Sequence, residues 1–115
     1  MKEITPDIVL SALSGRHGRD MGLSVRELVA RLRAGPMFVQ PHDERDVRAS
    51  IETLRRRGLH ICGTPTDGYY MARTEEELLE TCEFLYRRAM TSLSQVAAMR
   101  QISLPDLRGQ FRLKT

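Results

Sequence analysis

Arginine carries almost all of the positive charge in this 115-residue chain, since lysine occurs only at Lys2 and Lys114. A guanidinium is a planar fork of N–H donors, which fits phosphate oxygens and the O6/N7 edge of guanine better than an ammonium does. The arginines best placed for such chemistry lie just after Asp43. Val47, Ile51 and Leu54 recur at steps of four and three, the spacing of a buried helical stripe. With those three inward, Glu44, Arg45, Arg48, Glu52 and Arg55 project outward. Arg45 and Arg48 become candidate readers of base edges, while Ser50 and Thr53 offer neutral hydroxyl donors to phosphate. Arg16, Arg19 and Arg26 are candidate backbone clamps, and Thr64 and Thr66, in a later turn, complete the set of candidate contacts. The same arginines also fit an ordinary solvated helix face, paired at helical spacing with Glu44, Asp46 and Glu52.

Two features oppose a nucleic-acid partner. Asp43, Glu44 and Asp46 open the same helix and repel phosphate where it would enter a groove. The turn Thr64-Pro65-Thr66-Asp67 has no lysine or arginine to grip a backbone. The net charge of +3 permits nucleic-acid contact without demanding it.

Other chemistries find little footing. His60 and Cys62 alternate along one strand, but two ligands without a second pair fall short of a zinc site. Cys62 and Cys82 match neither a zinc knuckle nor a redox motif; they are expected to be thiols in a reducing cytosol, packed as small apolar residues. There is no glycine-rich phosphate loop, paired-acid cleft or Ser/His/Asp signature, so neither an enzyme nor a bound cofactor or metal is expected. The longest apolar runs are a few residues, far short of a membrane span, and the first residues lack the apolar core of a secretory signal. A cytoplasmic protein is expected.

Several helices and a hairpin must hold these residues. Thr5 caps a first helix with Pro6 at its first position, running to about Ser14 with Ile8, Val9, Ala12 and Leu13 on one face. Ser24 and Glu27 form a capping box for a second helix that ends before Gly35-Pro36. Met37-Phe38-Val39 follows, either as a short strand pairing with the hairpin or as a loop over the core. The third helix, capped at Asp43, spans roughly 44 to 57 and stops at Gly58. The period then changes to two, placing a hairpin at Leu59–Ile61 and Tyr69–Met71, with one of Tyr69 and Tyr70 facing the core and the other the surface. Thr74 caps a last helix reaching about Gln101. Leu78, Cys82, Leu85, Ala89, Ser92, Val96 and Met99 form an apolar row there, beside a second row through Leu79, Tyr86, Met90, Leu93 and Ala97.

The string IETLRRRGLHICGTPTDGYYMA resembles the N-terminal winged domain of the biotin repressor/ligase family. The match lies in Leu54-Arg55, the stop at Gly58, the strand through Ile61, the proline-containing turn and Gly68-Tyr69, and it covers roughly residues 24 to 72. That resemblance implies a recognition helix in the major groove and a hairpin wing along the backbone; nothing corresponds to the ligase domain. Free-standing chains of this kind with a trailing helix also look similar to regulatory or replication-accessory proteins of phages and prophages.

The expected fold is therefore mainly α with a small β-hairpin: a winged helix-turn-helix at 1–73, a long helix at 74–102 and an extended tail at 103–115. The expected function is double-stranded DNA binding in transcriptional or phage replication control, with a protein-interaction module that assembles a complex without strong DNA binding as the alternative. The last helix has three readings: it folds back on its own domain, binds another protein through helix or tail, or makes a homodimer through Leu78, Cys82, Leu85, Ala89, Val96 and Met99. The homodimer is the expectation carried forward, since a two-fold dimer matches a palindromic site.

Overall fold

The computed structural model describes residues 3–103, 105 and 106. It is mainly helical, with one two-stranded antiparallel hairpin and a long C-terminal helix, as the sequence patterns predict. The chain divides into two units, Met1–Thr81 and Cys82–Thr115.

Helix α1 spans Pro6–Leu13, and the Thr5 side chain accepts from the Ile8 N–H at its start. Helix α2 spans Val25–Leu32 behind the complete Ser24/Glu27 capping box. Helix α3 spans Asp43–Arg56. These three helices meet through Val9 and Leu13 of α1, Leu28 and Val29 of α2, and Val47, Ile51 and Leu54 of α3, all essentially without solvent contact. Each such side chain contributes about 1.5–3 kcal/mol by leaving water, so the inward stripe of α3 fixes which of its residues face outward. Gly58 ends α3 with φ at +91°, the left-handed stop that a side chain would strain.

Strand β1, Ile61–Thr64, pairs with β2, Gly68–Met71, in the register Ile61 to Met71 and Cys62 to Tyr70. The far edge of β2 is closed by the α1–α2 connection: Leu23 and Tyr69 exchange both backbone hydrogen bonds, and the Gly18 N–H donates to the Met71 carbonyl. Gly22 makes that approach possible, because a Cβ there would sit 1.9 Å from the Asp67 carbonyl oxygen. Residues 37–39 therefore do neither thing expected of them. Met37 and Phe38 belong to a 3-10 turn at Pro36–Phe38, and Met37, Phe38 and Val39 are exposed, because the strand edge they would pair with is already taken.

Helix α4 spans Glu75–Arg100. Thr74 caps it through the Glu77 N–H, and its first turns lie within the first unit. Beyond it, Ser103 accepts from the Asp106 N–H, and residues 105 and 106 already have helical backbone. The rest of the tail expected to be extended, residue 104 and 107–115, lies outside the described residues. No helix among the described residues is long and apolar enough to cross a membrane.

Candidate nucleic-acid interface

The outward face of α3 is set by the position of its core stripe. Opposite Val47, Ile51 and Leu54 lie Arg45, Arg48, Ala49, Glu52 and Arg56, all exposed. Arg45, Arg48 and Glu52 occupy the expected face. Arg48 keeps a loose pairing with Glu44 one turn back, at 3.6 Å. Arg56 and Ala49 were not singled out from the sequence. The signal was available: residues 45, 49, 52 and 56 repeat the four-three-four helical step, out of phase with the core.

Three expected contacts on α3 and the hairpin are committed elsewhere. Ser50 is buried rather than on the outward face. Arg55 is half-buried; its Nε donates to the Ile61 carbonyl at 2.8 Å, and its guanidinium lies over the Tyr69 ring. It seals the open edge of β1, a task completed by Thr81, whose buried hydroxyl accepts from the Gly63 N–H. Thr64 braces the hairpin turn, accepting from the Asp67 N–H and donating to the Asp67 carboxylate. Thr66 remains exposed.

The loop arginines also divide. Arg26 is exposed on α2. Arg16 is half-buried and spends its Nε on the Met21 carbonyl. Arg19 is the hub of a polar strap: its guanidinium meets the Tyr70 hydroxyl, Glu80 of α4 and Asp67 of the hairpin turn, which in that order raise its pKa, while its own N–H donates to Glu77. Arg73 extends the strap to Asp20 and, through its backbone N–H, to Glu77. Arg19 is thus a tie holding the start of α4 against the hairpin rather than a free phosphate clamp.

The acids at the start of α3 lose much of their repulsive meaning once their partners are known. Asp43 is fully buried and is not the cap; His42 holds the N-cap position without a side-chain capping bond. Both oxygens of Asp43 receive the Arg33 guanidinium, at 2.9 and 2.7 Å, and one also accepts the Gln40 N–H. The Arg33 hydrogen bonds outweigh burial and bring the Asp43 pKa down to about 2. Asp46 faces His42 at 2.8 Å. His42, Asp43 and Asp46 bring ligand atoms within 4.8 Å of one another, yet the Arg33 fork already holds both oxygens of Asp43. Of His60 and Cys62, a pair too small for a zinc site, Cys62 is buried and His60 exposed. Tyr70 is the buried ring of the hairpin and Tyr69 the half-buried one.

On α4, Leu78 and Val96 are half-buried, whereas Cys82, Leu85, Ala89 and Met99 are exposed.

No family model matches this chain, and no solved structure does. A myocyte-specific enhancer factor 2A homolog of Xenopus laevis is 35% identical over 52 residues. That stretch is 44% of this chain and 10% of the relative, so the chain spans about a tenth of that protein's length.

Proposed function

We propose that this chain is a double-stranded DNA-binding regulatory protein of winged-helix type, in which α3 lies in the major groove. The observation that carries this reading is the outward face of α3: Arg45, Arg48 and Arg56 stand exposed while Asp43, the buried acid of the first turn, is neutralised from within by Arg33. In the groove Arg45 and Arg48 fork onto guanine, Ala49 offers a methyl to thymine and Glu52 an acceptor to the cytosine amino group. Arg56 and Arg26 contact phosphate. The partial likeness to a protein named as an enhancer factor agrees with this reading.

Fluorescence anisotropy on duplex DNA over a salt series tests it. The wild-type chain binds at low salt, with affinity falling as salt rises. Arg45→Ala with Arg48→Ala weakens binding to a selected site by tenfold or more, given about 1–3 kcal/mol for each lost base contact. Immeasurable duplex affinity at low salt, or an unchanged double variant, removes the proposal.

A protein-interaction module is the second reading, favoured by one region. Met37, Phe38 and Val39 stand exposed in sequence. A partner retained in a pull-down after nuclease treatment, with no duplex affinity, would select it.

A further inference from the structure

Within the second unit, residues 82–100 of α4 carry an apolar seam that solvent reaches. Tyr86 is 66% exposed, Met99 76% and Leu85 37%, and Cys82 and Ala89 are also exposed. Cys82, Tyr86, Ala89, Leu93, Val96 and Arg100 follow the four-three alternation of one side of a two-helix coil, with Leu85 and Met99 flanking it. Over these residues the charges are polarised: Glu83 is the acid, near the start, and Arg87, Arg88 and Arg100 are the bases.

We propose that this segment pairs antiparallel with the same segment of a second copy of this chain, about a two-fold axis near residue 91. That register places large seam residues against small ones. Tyr86 comes level with the partner's Val96, Ala89 with the partner's Leu93, and flanking Leu85 lies within two residues of the partner's Met99. Glu83 falls beside the partner's Arg100, while Arg87 and Arg88 come level with the partner's Gln95 and Ser94. A parallel pair has the opposite consequence: every arginine faces its own copy, and Arg100, on the seam, is forced against Arg100. Antiparallel helices also oppose their dipoles. The Glu83–Arg100 contact, beside the Glu83–Arg87 pair within each helix, and the avoided Arg100–Arg100 contact therefore select a second copy in the antiparallel direction.

Such a pair supplies the second protomer that the proposed DNA-binding reading would use at a palindromic site, and its test contains no DNA, so either can fail without the other. Light scattering of the full chain should give the mass of two chains, and Tyr86→Glu should return it to one with the circular dichroism spectrum unchanged, since that ring is exposed. Direction is read by mild oxidation. In the antiparallel register two Cys82 residues lie about 27 Å apart along the axis, so the wild-type chain should not cross-link. Met90→Cys in a Cys82→Ser background, which sits near its own mate, should cross-link to a covalent dimer. A monomeric wild-type chain, a Tyr86→Glu variant that stays dimeric, or a Cys82 cross-link with a silent Met90→Cys would each overturn the proposal.

Discussion

Helices α3 and α4 both carry regular apolar stripes, yet they present opposite surfaces. In α3 the stripe through Val47, Ile51 and Leu54 is buried by α1 and α2, and what remains outside is mostly charged. In α4, from Cys82 onward, the exposed residues include Leu85, Tyr86 and Met99. An apolar stripe alone says that something must cover a helix. Whether the cover comes from the same chain depends on neighbours distant in sequence. The covered helix therefore leaves its polar face to solvent, and the uncovered one leaves apolar residues there, the face that the proposed pairing would use.

The largest effects should come from what fixes α3 in place. Asp43→Ala leaves the Arg33 guanidinium buried without its carboxylate, and removing one partner of such a pair costs about 3–5 kcal/mol. Urea denaturation followed by circular dichroism measures it. Acid makes the same point without a mutation. The folded-state pKa of Asp43, lowered to about 2 by Arg33, lies below the ordinary carboxylate value. Its contribution is complete above the unfolded-state pKa near 4 and is lost as pH falls from there toward about 2. Asp43→Asn should flatten the stability profile in that window, and an unchanged profile would show that the pair contributes nothing.

Next comes a direct contrast between the two stripes. Ile51→Ala should cost about 2–5 kcal/mol at any protein concentration, because it opens a cavity inside one chain. Tyr86→Ala should cost within about 0.5 kcal/mol in dilute solution. Its cost should grow as the protein is concentrated, because a partner that binds only the folded state stabilises it by mass action. A cost of Tyr86→Ala that is large and independent of concentration would mean that the ring is covered from within the chain, and the contrast would fail.

The elements were legible wherever their determinants were local. Thr5, the Ser24/Glu27 box, Gly58 and Thr74 each act within a few residues of themselves, and each sits where its sequence context predicts. The candidate site was less legible, because several of its residues answer to distant partners. Asp43 looks like a cap until Arg33, ten residues upstream, is seen to hold it. Arg55 looks outward because it follows Leu54, but it lies on the flank of the core stripe and reaches the open edge of β1. Thr81, which satisfies that same edge, carries no local signal at all. Met37-Phe38-Val39 looks like a strand by composition, yet the edge it would join is filled by Leu23 and residues 16–18.

That difference between neighbours makes a sharp pair of variants on α3 itself. Arg55→Ala should cost about 1–3 kcal/mol of stability, the loss of a charged hydrogen bond to a strand carbonyl. Arg56→Ala should leave stability within about 0.5 kcal/mol while weakening duplex affinity across all sequences and reducing the salt slope by about 1. Thermal unfolding and anisotropy on the same two proteins separate the roles; the reverse pattern would mean that the outward face of α3 is misassigned.

The smallest expected effect concerns the strap that joins the hairpin to the first turns of α4. Arg19 is an exposed residue whose partners Asp67, Glu80 and Glu77 are themselves at least partly in water. An isolated pair of this kind is worth little, but here one guanidinium spans a loop, a hairpin and a helix, so its loss releases three elements together. Arg19→Ala should therefore lower the melting temperature modestly at low ionic strength. The difference from wild type should shrink toward zero in 1 M salt, where the screening length falls to about 3 Å. Duplex affinity should change far less than for Arg45→Ala with Arg48→Ala, because Arg19 already has its anions. If Arg19→Ala instead weakened DNA binding as strongly as that double variant while leaving stability untouched, the strap would be a phosphate clamp after all, and the interface would extend from α3 onto the α1–α2 loop.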